Sequence, residues 1–446
     1  MIEQEFECQE RLSAGDISMI AAAIRTLGSA DCDVAELIDE IARLEELKGT
    51  VAAAQARAAA AFAAKQRAEQ EAGGLRAAQV GVGIAAQVAL ARHESPHQGA
   101  RHLGLAQALV HELPHTMEAL DAGQISEWRA TLIARETACL SVEHRAQVDA
   151  ELAARHGGLA AMGDRTLAAE ARRIGYRLDP YAVTRRASKA AEDRRVSLRP
   201  APDAMTWLGA LLPARQGVAA YAALTRAADG ARADGDERGR GQVMADTLVE
   251  RVTGQATAEA VPMEIQLVMT DQTLLDGDSE PAELDGVGPV PAPLVRQWLR
   301  DGTTGASAQA MAWLRRLYTS PVSGQLIAMD SRRRCFDGQL RRFVIAADRT
   351  CRTPWCDAPI RHVDHALTAA AGGETSFDNS AGLCEACNYT KEAPGWVTIR
   401  LPNRALEIST PTGHRYGSRP PPPVGQTAER ASPSLLEQRL QDLLAS

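Results

Sequence analysis

Aromatic side chains are scarce in this sequence: Phe, Trp and Tyr together make up 4% of its 446 residues. Hydrophobic residues still reach 45%, and much of that share is alanine. Because alanine combines the highest helix propensity with a small side chain, this composition favours helices that pack closely through small residues. A single core stops growing at roughly 250–300 residues, so we expect two or three domains.

Long hydrophobic runs are missing as well. The apolar stretch VGVGIAAQVALA at residues 80–91 is too short to span a bilayer and contains a glutamine. The opening residues, MIEQEFECQE, are acidic and lack the basic and apolar regions of a secretory signal. We therefore expect a cytoplasmic protein without a membrane segment.

The chain has no excess of positive charge, since 49 Lys and Arg face 57 Asp and Glu, a net charge of −8. This balance excludes a protein that is basic throughout, so a nucleic-acid site has to be a local patch. Residues 331–400 are locally more basic, with ten Lys and Arg against eight Asp and Glu (10 − 8 = +2). We call this segment the basic segment.

The first 190 residues show helical periodicity. Apolar residues recur every three or four positions after Val34 and run into an alanine-rich stretch up to Gln70, which predicts one long helix. Gly49 lies inside this helix, and Gly73 and Gly74 are predicted to end it.

Residues 83–113 predict a pair of helices separated by Glu94, Ser95 and Pro96. Ser95 is suited to cap the second helix and Pro96 to occupy its first position. This outline is compatible with a helix-turn-helix that reads DNA in the major groove. The alternative is an ordinary helical hairpin within a bundle.

The pattern changes near Glu192. The segments at 194–200 and 204–213 predict a pair of strands, and two helical segments and a strand at 262–270 follow. Residues 276–306 are rich in Gly, Pro and acidic residues and predict a connector, while 321–330 predicts a further strand. After residue 400 the pattern fades into a proline-rich tail, which ends in an amphipathic segment with leucines on one face.

Half of the eight cysteines lie close together, as Cys351-x4-Cys356 and Cys384-x2-Cys387. In a reducing compartment such a cluster indicates metal binding before disulfides. Four thiolates around one Zn²⁺ form a closed, structural site, and metal binding supplies folding energy to a segment with little core of its own. We therefore predict a structural zinc.

The residues between and beside the cysteines exceed what a zinc site requires. Asp364 and Asn388 offer oxygen ligands suited to Mg²⁺ or another hard divalent ion. A histidine side chain can act as a general base, which suits His365 to that role, and Asn379 can fix its tautomer. Hydrolysis of a phosphodiester needs these parts: a metal, a base and a group that orients the base.

With Asp364-His365, Asn379 and Cys387-Asn388-x-x-Lys391 framed by two cysteine pairs, the segment resembles the HNH (His-Asn-His) endonucleases of the ββα-metal type. The resemblance implies a strand with Asp364-His365, a second strand or loop with Asn379, and a helix with Asn388 and Lys391. It also implies that His365 is the base and that Asp364 and Asn388 hold the catalytic metal. Lys391 would contact the phosphate or the transition state. The family often has proline where this chain has Thr368.

Segments of the first 270 residues, among them SEWRATLIARETACL and RGRGQVMADTLVERVTGQ, resemble the large helical domain of unknown function that many bacterial HNH proteins carry. We therefore predict a mainly α protein with an α+β middle region, in which a helical N-terminal domain precedes a small zinc-stapled ββα-metal (HNH) domain. The predicted parts are a helical domain at 1–190, its α+β continuation at 191–275, a connector at 276–320, the HNH nuclease domain at 321–402, and a flexible tail with a terminal helix at 403–446.

The expected function is metal-dependent cleavage of DNA, and the expected partners are DNA and a second copy of the chain bound through the helical domain. Five residues are predicted to contact nucleic acid because they lie in the basic segment next to the centre: Arg341, Arg349, Arg352, Arg361 and His362. The alternative function is a zinc-stapled nucleic-acid-binding module of mobile-element origin that does not cut.

Overall fold

The computed structural model describes residues 13–28, 33–255, 267–268, 279–284, 287–304, 336, 338–368 and 372–422. Two predicted features lie outside these residues: the strand at 321–330 and the amphipathic segment at the end of the tail, at 432–446. Of the strand predicted at 262–270, only residues 267–268 are described, and they are extended.

The described residues are mainly helical with small sheets, as the sequence predicts. The helices are α1 Ala14–Ile24, α2 Val34–Ala72, α3 Ile84–Ala91, α4 Pro96–His111, α5 Pro114–Asp121, α6 Glu127–Thr137, α7 Val142–Ala153, α8 Asp164–Leu178, α9 Pro180–Ala190, α10 Ala214–Ala233, α11 Arg240–Thr253, α12 Ala292–Thr304, α13 Gly338–Asp348 and α14 Glu385–Lys391. The strands are β1 Arg195–Ala201, β2 Met205–Leu211, β3 Leu267–Val268, β4 Ala282–Leu284, β5 Gly288–Val290, β6 His362–His365, β7 Ser380–Leu383, β8 Val397–Arg400, β9 Leu406–Ser409 and β10 Arg415–Ser418. No described helix is long and apolar enough to cross a membrane.

The chain divides into two compact units. The first, which we call the helical unit, contains Met1–Gly73 and Arg101–Thr184. The second contains Gly74–Ala100 and the remainder of the chain from Arg185.

The long helix predicted near the N-terminus is confirmed as α2, which has 39 residues. Asp33 caps its start in a capping box with Glu36, and Gly73 is its C-cap, so the chemistry of both ends agrees with the observed bounds. Its buried face is largely alanine, and it packs with α5 and α6 in the core of the helical unit.

The packing of α2 explains why a glycine occupies position 49 inside the helix. A Cβ on Gly49 would lie 3.0 Å from the Cα of Gly123 and 3.0 Å from the carbonyl oxygen of Leu120. Gly123 has a φ of +70°, and a Cβ there would lie 2.5 Å from the carbonyl oxygen of Glu46. The two glycines therefore let the backbone of α2 touch the turn after α5.

Helix α5 is capped from a distance. Leu113 at its N-cap position makes no side-chain cap. Instead, the buried carboxylate of Asp149 on α7 accepts hydrogen bonds from the backbone N–H groups of His115 (2.7 Å) and Thr116 (3.0 Å). Asp149 thus supplies acceptors for two of the N–H groups that a helix start leaves unpaired.

The helix break predicted at 94–96 is confirmed in the second unit, where α3 ends at Ala91 and α4 begins at Pro96. The backbone N–H of Gln98 donates to Oγ of Ser95 (3.4 Å), as expected of an N-cap. The strand pair is confirmed too, since β1 and β2 are antiparallel with Ala201 opposite Met205 at the turn. Whether the helix pair reads DNA stays a prediction.

Part of the segment predicted as a connector has a core of its own. Strands β4 and β5 pair and, with α12, bury Ala282, Val290 and Val295. Of the residues that suggested a linker, Gly288 and Pro289 lie in β5 itself, whereas Pro291 directly precedes α12 and Pro293 lies in its first turn, where proline is favoured.

The described residues from 336 to 422 form what we call the C-terminal module. Strands β6 and β7 pair antiparallel, α14 follows directly, and β8, β9 and β10 form a second sheet with β9 in the centre. Helix α13 packs on β6 and β7, burying Leu340 and Val344 against Phe336 and Phe377.

Helix α3 belongs to this same unit, although its residue Gln87 lies 325 positions before Thr412 of the module. Oγ1 of Thr412 donates to Oε1 of Gln87 (3.0 Å), and the rings of His93 and Trp355 stack with centroids 4.3 Å apart. At Gly83, with a φ of +83°, a Cβ would lie 2.6 Å from Nε1 of Trp396. The C-terminal module is therefore packed against a helix from the first quarter of the sequence.

Candidate functional site

The four clustered cysteines converge in the C-terminal module. Their sulfur atoms all lie within 4.8 Å of one another, and all four side chains are buried. Cys351 and Cys356 lie in the loop before β6, Cys384 is the N-cap residue of α14, and Cys387 lies in the first turn of that helix. Four thiols at this separation fit a tetrahedral zinc with no position left for water.

The thiols of the cluster hydrogen-bond one another, and these bonds shift the pKa values of Cys384 and Cys387 in opposite directions. Hydrogen bonds with Cys351 and Cys356 hold the pKa of the Cys384 thiol well below its usual range, and bonds with the same two thiols raise the pKa of Cys387. A bound Zn²⁺ requires thiolates, so binding would release protons from the thiols that are still protonated.

Strand β6 presents Asp364 and His365 at its C-terminal end, where they pair in register with Ala381 and Ser380 of β7. Asp364 is half-buried, and Nζ of Lys391 on α14 lies 2.6 Å from its Oδ2. Lys391 also donates to the carbonyl oxygen of His365 (2.9 Å). Asp364 and Lys391 are 27 positions apart in the sequence, and the strand and the helix bring their side chains into direct contact.

The Asp364 carboxylate keeps its charge in this setting. Burial pushes its pKa up, but the hydrogen bond and the charge of Lys391 outweigh that effect, so the pKa lies below its usual value. A second hydrogen bond, from the backbone N–H of His365 to Oδ1 (2.8 Å), acts in the same direction. Asp364 is therefore an anionic oxygen donor.

The imidazole of His365 is buried, with 7% of the residue exposed. Its Nε2 lies 2.9 Å from Oγ1 of Thr375, and Phe336 packs beside the ring with centroids 4.7 Å apart. Nδ1 lies on the side of Asp364, 3.6 Å from Oδ1. The ring is thus held at one nitrogen and flanked by an apolar wall.

Asn379 does not hold that ring. Its Oδ1 accepts from the backbone N–H of Leu367 (2.9 Å), and its Nδ2 donates to the carbonyl oxygens of Leu367 (3.0 Å) and Glu374 (2.8 Å). The residue is almost completely buried. Asn379 therefore clamps the two ends of the loop between β6 and β7. The hydrogen bond to His365 comes instead from Thr375, which no motif in the sequence singles out.

Asn388 lies in the first turn of α14, next to Cys387. Its backbone N–H donates to the carbonyl oxygen of Cys384 (3.0 Å), while its side-chain Oδ1 is buried without a hydrogen-bond partner among the described residues. A buried amide oxygen without a donor is costly unless something else pairs with it. A cation is one such partner, so Asn388 fits the ligand role that the sequence assigns to it.

The residues predicted to contact nucleic acid separate into two groups. Arg361 is exposed, His362 is half-buried near Tyr389, and Arg341 donates to the carbonyl oxygen of Arg361 (2.8 Å). These three lie along the start of β6 and the helix beside it. Arg349, by contrast, pairs with Glu283.

Arg352 is buried, and its guanidinium is committed within the protein. It donates to Oδ1 of Asp348 (3.1 Å) and to the carbonyl oxygen of Arg404 (2.9 Å). Arg404 in turn lies 2.9 Å from the same carboxylate oxygen and stacks on Phe377. Sequence spacing cannot separate such an arginine from its exposed neighbours, and the structure makes Arg352 part of the core rather than of a surface.

The helical unit and the middle region are recognised by comparison with known families. A family model described as "Domain of unknown function (DUF222)" matches residues 41–348. The chain belongs to the DUF222 family. The DUF222 match ends at the last residue of α13, so Cys351 and all the site residues that follow lie beyond it.

Two relatives of this DUF222 protein come from Mycobacterium tuberculosis. "Uncharacterized protein Rv3776" is 31% identical over 142 residues, which are 31% of this chain and 24% of the relative. "Uncharacterized protein MT2160" is 31% identical over 145 residues, again 31% of this chain and 24% of the relative. The matches thus span about a quarter of the length of these curated relatives. No solved structure matches the chain.

Proposed function

We propose that this DUF222 protein is a metal-dependent endonuclease of the HNH type that hydrolyses phosphodiester bonds of DNA. The observation that carries the proposal is the buried, unpaired Oδ1 of Asn388, one residue after a cluster of four cysteines. The same module holds the anionic Asp364 and the buried His365. A zinc-stapled fold needs none of these three side chains.

Asp364 and Asn388 would hold the catalytic divalent ion, Mg²⁺ or a similar hard cation, because both offer oxygen donors. When bound, such an ion neutralises the phosphate and stabilises the leaving oxygen. The zinc expected at the four cysteines is separate and serves the fold, since a site closed by four thiolates has no position for substrate.

His365 would accept the proton of the attacking water. Burial beside Phe336 and the hydrogen bond to Thr375 fix the ring, so its free nitrogen is presented in one direction. Lys391 contacts Asp364 directly and would contact the phosphate or the charge that develops in the transition state. Asn379 would support the positions of His365 and Lys391, because its hydrogen bonds to Leu367 hold the loop after β6.

The DNA backbone would follow the side of β6 where Arg361, Arg341 and His362 lie. The pair α3–α4 would add to recognition, and the helical unit would add to it through a second copy of the chain. Arg352 is left out of this interface because its guanidinium is buried.

The test is nicking of supercoiled plasmid by zinc-loaded protein in Mg²⁺ or Mn²⁺, comparing the wild type with His365→Ala. The matched control is His414→Ala, because His414 is an exposed histidine of the same module outside the proposed centre. We expect loss of nicking in His365→Ala with unchanged zinc content, and full activity in the control. A wild type that binds DNA but does not nick it in either metal would instead support the non-catalytic binding module.

A further inference from the structure

Thr375 makes the hydrogen bond to the imidazole of His365, at 2.9 Å from Nε2. A neutral imidazole carries one N–H and one lone pair, and the partner of one nitrogen decides where the other's proton lies. Thr375 lies ten residues after His365, in the loop between β6 and β7, and its side chain is half-buried. Its hydroxyl is therefore placed to hold the ring at Nε2.

The loop that carries Thr375 is held at both ends. Asn379 bonds the backbone of Leu367 and of Glu374, the residue before Thr375. At Gly373 the chain passes so close to Leu367 that a Cβ would lie 1.9 Å from its carbonyl oxygen. These contacts fix the backbone next to Thr375. The folded loop therefore determines where the Thr375 hydroxyl lies relative to His365.

We propose that Thr375 is the positioning residue of the catalytic base: its Oγ1 accepts the Nε2–H of His365 and leaves the lone pair on Nδ1, on the side of Asp364. This inference rests on the proposed function. Oδ1 of Asp364 is 3.6 Å from Nδ1, too far for a strong hydrogen bond. In this arrangement Nδ1 is the nitrogen that accepts a proton from the attacking water.

The proton balance follows from this arrangement. As the water oxygen bonds to phosphorus, the bond from phosphorus to the leaving oxygen breaks, and the leaving oxygen takes a proton from solvent. One proton of the attacking water passes to Nδ1, and the Nε2–H continues to donate to Thr375. The resulting imidazolium is then hydrogen-bonded at Nε2 and lies beside the Asp364 carboxylate at Nδ1, so neither proton needs to move through Thr375. Serine at position 375 would keep the hydroxyl that accepts the Nε2–H of His365. Valine would replace this hydroxyl with a methyl group, which cannot accept a hydrogen bond.

The first measurement reads the tautomer directly and needs no nuclease activity. Full-length, zinc-loaded protein labelled with ¹⁵N-histidine is observed by long-range ¹H–¹⁵N correlation, with the His365 signals assigned by their loss in His365→Ala. We expect the wild type and Thr375→Ser to show protonated Nε2 and unprotonated Nδ1. Thr375→Val should show a mixture of both tautomers. An unchanged Nε2–H tautomer in Thr375→Val overturns the inference, whether or not the protein cuts DNA.

The second measurement is the nicking rate in Mn²⁺. Thr375→Val should lower kcat about 10–100-fold, with KM changed less than about twofold. Thr375→Ser should retain most of the wild-type kcat, because it keeps the hydroxyl. The control for loop integrity is Ser376→Ala, because Ser376 bonds Glu374 and Asn379 rather than His365. If Ser376→Ala lowers kcat as much as Thr375→Val, the hydroxyl acts only through the loop and the inference is wrong. If the wild type does not cut but its tautomer depends on Thr375, the positioning role stands and the proposed function fails.

Discussion

Nζ of Lys391 lies 2.6 Å from Oδ2 of Asp364, so a lysine of α14 neutralises the carboxylate that is proposed to bind the catalytic metal. The ammonium and a divalent cation compete for the same anion. We expect Lys391→Met to bind Mn²⁺ more tightly, on the order of tenfold, since removal of one positive charge beside a half-buried carboxylate is worth about 1 kcal/mol.

Titration calorimetry with Mn²⁺ on the zinc-loaded protein measures this effect. Lys391→Arg retains the charge and should bind as weakly as the wild type. Lys391→Met should nevertheless nick DNA more slowly if the lysine contacts the transition state. Equal Mn²⁺ affinity in the wild type and Lys391→Met would contradict the competition.

The contact between α2 and the turn after α5 reverses the usual effect of replacing glycine in a helix. Gly→Ala in an open helix position stabilises by about 0.5–1 kcal/mol. Gly49→Ala should instead lower the free energy of unfolding by about 1–3 kcal/mol, because the added methyl meets the backbone of Gly123 and Leu120.

Gly123→Ala should destabilise further, since its φ of +70° also disfavours a side chain. Gly104, inside α4 with nothing within 4 Å of a built Cβ, is the matched control and should gain stability as alanine. Chemical denaturation monitored by circular dichroism measures the free energy of unfolding of the three variants. A stabilising Gly49→Ala would refute the close approach.

The cysteine cluster predicts one zinc per chain. Elemental analysis should find one equivalent in the wild type and in Cys139→Ser, because Cys139 is a free cysteine outside the cluster. Cys387→Ser should lose most of the metal, since thiolate donors hold zinc far better than a hydroxyl does. Chelation should lower the melting temperature of the C-terminal module and leave the helical unit unaffected.

Asp149 gives the helical unit a pH dependence of known sign. Burial raises its pKa above the ordinary 3.8, although the hydrogen bonds from Thr116 and His115 act against this. Between the unfolded and the folded pKa the folded chain therefore holds more protons, and its stability falls as the pH rises.

The stability linked to Asp149 is thus fully present below about 3.8 and is lost as the pH rises through the folded pKa. Asn cannot titrate, so the free energy of unfolding of the wild type minus that of Asp149→Asn should decrease across this interval. Urea denaturation at a series of pH values measures the difference. A difference that is constant with pH would contradict the raised pKa.

Local patterns predicted much of the fold. The helical period and the capping residues located α2, the break before Pro96 and the strand pair β1–β2, because each depends on neighbours within a few positions. The cysteine spacing likewise located the metal cluster.

What the sequence missed depends on contacts that are distant along the chain. The cap from Asp149 to α5 joins residues 34 apart. The burial of Arg352 depends on Asp348 and Arg404, and an arginine in a basic segment looks the same whether it faces solvent or an internal carboxylate. Thr375 carries no spacing signal, because its role arises only when the loop folds back onto β6.

The packing of α3 on the C-terminal module has a consequence for how the protein is made. Gln87 meets Thr412, 325 residues later. At a synthesis rate of about 5–20 residues per second, roughly 15–65 s pass between the emergence of α3 and that of its partner. During this interval Leu90, which lines a pocket together with Ala366 and Leu383 of the module, is without these contacts. The order of translation thus makes completion of the module one of the last events in folding.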